Sequence, residues 1–241
     1  MKRMVVQLPI KFLRWNYFSR REVIKAFLKG EYEKDINLFF LESTRHNPAL
    51  CTASVKPDGT IYVNAKIVGV GYVLKEAYLQ EAIEALTRHI EFGDKIFSEA
   101  ATEKERKEAI KRYQREGMLL LLRYIYLDYE EAMQRVDFTK LATIELALDK
   151  PHSSKHTWSM LQKNKSACLL FYRPPNTSFE LHGSIEIHER GPHHRFVNLI
   201  HESYHYSPPK RRDLNRPVYI FKVEEVYDNS PTTEGFGRRI A

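Results

Sequence analysis

Residues 49–68 read ALCTASVKPDGTIYVNAKIV, and this stretch decides the fold class. Two β-rich runs, Ala49 to Val55 and Thr60 to Val68, flank Lys56-Pro57-Asp58-Gly59. Proline sets the entry of a turn and glycine accepts positive φ, so the segment predicts a β-hairpin. Gly69 and Gly71, just beyond it, weaken the next strand or permit a bend.

Working outward, RREVIKAFLK (Arg20 to Lys29) places Val23, Ile24, Phe27 and Leu28 at helical spacing before a stop at Gly30. Downstream, from about Leu74 to Arg135, the pattern is charged helix. Leu79, Ala82, Ile83, Leu86 and Ile90 make one apolar face, and a break near Ser98 to Thr102 divides the stretch into two helices. LATIELALD (Leu141 to Asp149) then alternates, with Ile144, Leu146 and Leu148 on one face and Thr143, Glu145 and Ala147 on the other. A helix over Thr157 to Lys163 follows. Ser166 to Tyr172 and Ser178 to His188 form a strand pair across Pro174-Pro175-Asn176. A helix over Arg195 to Tyr206 stops before Pro208, and Pro217 to Tyr227 is a last strand. Strands joined by tight turns, with helices at the edges, predict an antiparallel barrel of the α+β class. One domain spanning residues 1–241, with a helical insertion at about 74–135, is expected.

At 43% hydrophobic residues the chain has ample material for a packed core. No apolar run approaches the ~20 residues a membrane helix needs. The longest candidate, MLLLLRYIYL (Met118 to Leu127), is interrupted by Arg123 and reads as a buried helix. The opening MKRMVVQLPIKFLRW is basic, but Pro9, Lys11 and Arg14 break its apolar segment and no small-residue cleavage site follows, so a cytoplasmic location is expected. Cys51 and Cys168 each sit inside an apolar run and read as small core residues. A net charge of +7 favours a phosphorylated or polyanionic ligand. The basic residues are scattered rather than gathered in a stripe, and a nucleic-acid partner is not expected.

Two segments carry candidate chemistry. Ser153, Ser154 and Lys155 precede a helix, and hydroxyls and N–H groups at a helix N-terminus beside an ammonium suit a phosphate dianion. The alternative is that one serine simply caps the helix that begins near His156. HESYH, His201 to His205, has the His-Glu-x-x-His spacing of zinc peptidases, with Glu202 as base and Glu224 or Glu225 as a third ligand. It falls in the last turn of a short helix, whereas a peptidase site lies mid-helix in a cleft. Zinc hydrolysis is therefore a minor alternative.

The segment SSKHTWSMLQKNKSACLLFYRPPNTSFELHGSIEIHERG (Ser153 to Gly191) has a Ser-x-Lys signature opening a helix and an Asn turn at Lys163-Asn164-Lys165. An apolar strand end at Leu169-Leu170-Phe171 and a strand glycine at Gly183 follow. With the Ala49 to Val68 hairpin it resembles the FMN-binding split barrel of the pyridoxamine phosphate oxidase superfamily, over a little more than a third of the chain. The resemblance implies a split antiparallel β-barrel and FMN, with Lys155 and Ser153 or Ser154 on its phosphate. It also implies a homodimer with the flavin in the subunit interface and a flavin-dependent oxidation or reduction of a small molecule. Asn64 falls where an arginine commonly contacts the phosphate, and Ser178 where the family often has a glutamine near the flavin ring. The family's C-terminal Arg-x-His substrate signature is absent, so pyridoxamine phosphate oxidation itself is not expected. Related branches bind haem or a deazaflavin, and eight of the ten histidines lie between His152 and His205. A non-catalytic dimeric binding module on the same barrel is the other reading, and the helical insertion then serves packing or dimer contact.

Overall fold

The hairpin forms where its turn chemistry places it. Strands β1 (Ala49–Val55) and β2 (Ile61–Ile67) pair from Ala49↔Ile67 to Val55↔Ile61, and Gly59 takes φ 82° in the turn between them. The structure, a computed structural model, describes residues 4–32, 35–146 and 151–241, with only the backbone of Ile36 and His152. The other strands are β3 (Gly71–Leu74), β4 (Val136–Ile144), β5 (Ser166–Arg173), β6 (Thr177–His188), β7 (Val218–Asp228) and the short β8 (Arg238–Arg239). All pairings are antiparallel, in the order β2-β1-β5-β6-β7-β4-β3, with β8 added to β7. The end strands β2 and β3 do not pair, so the α+β antiparallel sheet is open at that edge.

Side chains alternate across the sheet, and the inward set makes the barrel core. Leu50, Leu169, Phe171, Leu181, Ile185, Tyr219 and Phe221 are all buried. Near the chain start, α1 (Ile10–Leu13) inserts Phe12 edge-on against Phe171 and Phe179, with ring centroids 5.1 and 5.4 Å apart. Each fully buried ring of this kind is worth about 1.5–3 kcal/mol over its exposed state. A π-helical turn (Arg14–Phe18) leads into α2 (Ser19–Leu28), which ends at Gly30 with φ 77°. After α3 (Ile36–Ser43) the chain enters β1.

Between β3 and β4 lie α4 (Glu76–Glu99), α5 (Glu103–Tyr124) and α6 (Tyr129–Arg135). The predicted break falls where Thr102 and Glu105 form a reciprocal capping box at the start of α5. The expected face of α4, including Leu79, Ala82, Ile83, Leu86 and Ile90, is buried. It packs with α5 against α8 (Pro192–Tyr204). Gly117 lets α5 approach α8: a Cβ there would lie 2.0 Å from the Ser203 carbonyl oxygen. The remaining helix, α7 (His156–Lys163), covers the inner side of β1, where Met160 packs beside Thr52.

Four expectations change. The strand expected over Leu141 to Asp149 is β4, and it runs earlier because β3 and β7 claim Val136 to Ile144 as pairing partners. Its buried face is the polar one: Thr143 and Glu145 are buried, whereas Leu146 is 48% exposed. Residues 147–150, Leu148 among them, lie outside the described residues. The last long helix starts at Pro192 rather than Arg195, since proline at the first helical position has its φ already set, and it ends at Tyr204. Cys51 and Cys168 are half-buried and lie opposite each other on the outer face of the sheet, because the inward phase of β1 and β5 falls on Leu50, Thr52, Leu169 and Phe171.

Candidate functional site

The inner face of β2 carries Tyr62, Asn64 and Lys66, in register with the inward residues Ser54, Thr52 and Leu50 of β1. As an end strand, β2 has no neighbour beyond it, and its inner face borders a cavity of about 1040 Å³. The first turn of α7, the β2–β3 connection, the end of β4, and faces of α5 and α8 complete the walls. Phe27, Phe39, Met118, Tyr126 and Ile144 supply apolar surface. Arg20, Lys66 and Lys155 supply cationic groups, and among the described lining residues Glu145 is the only carboxylate. That carboxylate is neutralised in place: Lys66 Nζ lies 2.7 and 2.8 Å from its two oxygens, and the Tyr219 hydroxyl donates to it at 2.8 Å. Burial, reinforced by the Glu145 carboxylate, pushes the Tyr219 phenol far up.

At the mouth of α7 the predicted phosphate residues meet. Lys155 is the N-cap residue, in extended conformation, and its own side chain does not cap the helix. The Ser154 hydroxyl donates to the Pro151 carbonyl at 2.8 Å, while Ser153 offers its carbonyl to the Ser159 hydroxyl at 3.4 Å. Neither serine is the N-cap residue of α7, since Lys155 holds that position. Asn64 Nδ2 donates to Thr157 Oγ1 at 3.0 Å, which ties β2 to the same turn. Asn64, Ser154, Lys155, His156 and Thr157 all line the cavity. Ser153 does not, nor does Ser178. Ser178 projects from the outer face of β6, opposite Tyr172, where Ser230 Oγ accepts from its backbone N–H at 3.1 Å.

HESYH divides between two environments. His201 and His205 stand one turn apart with ring centroids 5.4 Å from each other, and both line the cavity. Burial lowers His201 to about 4 and also lowers His205, so both imidazoles are neutral near pH 7. Glu202 points away, fully buried and bonded to Arg216 at 2.9 Å, where it cannot act as a base on anything held by the histidines. Glu224 accepts from Ser184 and Glu225 from Tyr227, both on the sheet. Among the described residues no third ligand joins His201 and His205, so the zinc-peptidase arrangement is not formed.

Sequence reasoning passed over Arg20, His46, Lys66 and Glu145. His46 is buried between Tyr72 and Tyr126. Burial holds it well below its ordinary pKa. Lys66 carried a signal, since it shares the face of Asn64 two residues on; the others come from segments distant in sequence.

Several solved structures are similar to this chain. HupZ of Group A Streptococcus is 11% identical, covering 80% of this chain and 90% of that one, with a TM-score of 0.39. A putative pyridoxamine 5′-phosphate oxidase of Listeria innocua is 12% identical over 80% and 95% of the two chains, with a TM-score of 0.37. An F420 reductase is 13% identical over 76% and 90%, with a TM-score of 0.35. No protein-family model matches the sequence, and no curated protein does.

Proposed function

We propose that this chain binds FMN, or a deazaflavin with the same phosphate end, in the cavity at the open edge of the sheet. The observation that carries this reading is the N-terminus of α7, flanked by Lys155, Ser154 and Asn64, opening into a cavity whose one carboxylate among the described lining residues is already paired. A phosphate there meets the positive end of the helix, the Ser154 hydroxyl and the Lys155 ammonium. The apolar walls suit a planar aromatic ring, and about 1040 Å³ leaves room for a small substrate beside it. A bound flavin supplies hydride and electron transfer, which makes the protein a flavin-dependent oxidoreductase. In this reading the chain's own residues hold the phosphate and exclude water. The chain acts as one domain, in the cytoplasm, and as a homodimer.

A haem reading has one favouring observation: His201 and His205 present neutral imidazoles to the same cavity, and neutral imidazole is the form that ligates iron. A third reading is a non-catalytic binding module on the same barrel.

The visible absorption spectrum of the protein as purified, repeated after adding FMN and separately haem, separates the three. A flavin band that is lost in Lys155→Ala, with reduction by a nicotinamide donor, supports the oxidoreductase. A haem band that shifts in His201→Ala or His205→Ala supports the haem reading. A protein that takes up neither leaves the binding module and removes both cofactor readings.

A further inference from the structure

The outer face of the sheet, away from the cavity, carries a second cluster. Cys168 on β5 lies directly opposite His182 on β6, and Glu180 projects from the same face two residues earlier. One ligand atom from each, a thiol sulfur, a carboxylate oxygen and an imidazole nitrogen, all fall within 4.8 Å of one another. Cys168 Sγ is 3.9 Å from Glu180 Oε1, and His182 Nε2 hydrogen-bonds the same oxygen.

The surroundings hold these groups in position. Asn229 Nδ2 donates to the other oxygen of Glu180 at 2.8 Å, which orients the carboxylate from behind as outer partners orient metal ligands. The pairing of β6 with β7 shifts register between His182 and Gly183, and an irregularity of this kind re-aims a side chain. The Tyr227 ring lies 5.4 Å from the His182 ring and limits its swing. Cys51, on β1, stands directly across from Cys168, and Cα atoms so paired are about 4.5–5.5 Å apart.

We propose that Cys168, Glu180 and His182 form a binding site for a zinc-type divalent ion, with Cys51 as the fourth ligand. Thiolate and imidazole together select zinc or a similar d-block ion over magnesium or calcium, which take oxygen ligands. Zinc–ligand bonds are about 2.0–2.3 Å, so a bound ion needs the three donors only slightly rearranged. It replaces the Glu180–His182 hydrogen bond, while Asn229 keeps its hold on the far oxygen. This site is independent of the flavin reading, since it lies on the opposite face of the sheet.

The test uses the untagged full chain, kept reduced and stripped with EDTA, then titrated with Zn²⁺ against a chromophoric chelator and separately with Co²⁺. The expected result is one ion per chain, with tetrahedral Co²⁺ bands and a thiolate-to-cobalt charge-transfer band. Cys168→Ser and His182→Ala each weaken binding by roughly ten-fold or more, and Asn229→Ala weakens it by about ten- to a hundred-fold while the charge-transfer band persists. Cys51→Ser reduces that band without abolishing it, and an unchanged band removes Cys51 from the site. His205→Ala leaves the affinity unchanged, which separates this site from HESYH. Circular dichroism in EDTA verifies that each variant is folded. No stoichiometric ion, or one whose affinity survives both Cys168→Ser and His182→Ala, overturns the proposal and leaves a hydrogen-bonded Glu180–His182 pair beside a thiol.

Discussion

Lys66 and Glu145 are 79 residues apart and sit near opposite ends of the open sheet, yet Lys66 Nζ meets both oxygens of the Glu145 carboxylate. No backbone ladder joins β2 to β3, so side chains bridge the gap that the strands leave. Glu145 is 2% exposed, and removing its cation leaves a buried charge with Tyr219 as its remaining partner. Lys66→Met is expected to cost on the order of 3 kcal/mol in denaturant unfolding, and Lys66→Met combined with Glu145→Gln to cost less than that. A double variant as unstable as the sum of the two singles would mean the pair does not act as a unit.

Gly117 tests the packing of the insertion. Alanine is the better helix former by about 1 kcal/mol, so on α5 alone Gly117→Ala stabilises. Its Cβ would meet the backbone oxygen of Ser203 at 2.0 Å, and α5 and α8 must then separate. The variant is expected to lose about 1–3 kcal/mol despite the propensity gain. Gly71→Ala, with open space at its Cβ, is the matched control and keeps its melting temperature.

The phosphate end of the cavity makes a residue-level prediction. Lys155→Ala is expected to weaken FMN binding by about 1.5–3 kcal/mol, the worth of a hydrogen bond to a charged group, as read by fluorescence titration. Ser178→Ala, on the outer face of the sheet, leaves the affinity of a single subunit unchanged. Equal losses in both variants would move the phosphate away from α7.

Acid sensitivity follows from the histidines. Burial depresses His46, His89, His193, His201 and His205, with His201 at about 4. The unfolded chain, with ordinary histidines near 6.5, then binds more protons than the folded one below neutrality. Stability is therefore full above about pH 6.5 and falls as pH drops toward 4. Thermal melting across this window is expected to show the decline, and His201→Gln to flatten it. A melting temperature independent of pH between 7 and 4.5 would contradict the burial of these rings.

Local chemistry explains what was legible. The turn at Lys56-Pro57-Asp58-Gly59 and the break before α5 each depend on neighbours within a few residues, and each formed where it was expected. The phase of β4 was not legible. Alternation shows that Thr143 and Glu145 share a face, but a carboxylate faces inward only when distant partners meet it, and those are Lys66 and Tyr219. Ser178 shows the same limit: its distance along the chain from Lys155 is modest, yet strand parity puts it on the other side of the sheet.

Sequence alone determined the class of the fold, because turn residues, helix caps and hydrophobic periods act over short distances and survive without tertiary context. It also suggested Lys155 and the neighbouring serines as a candidate anion site, through the chemistry of a helix start, and that reading stays a proposal. Tertiary structure decided the rest. Only the curl of the sheet brings Arg20, Asn64, Lys66, His201 and Lys155 to one cavity, and only strand register sets Cys168 opposite His182. It also sends Glu202 of HESYH to Arg216 and not to a metal, because a helix distributes neighbouring residues around its axis and the packing of α8 chooses which face is buried.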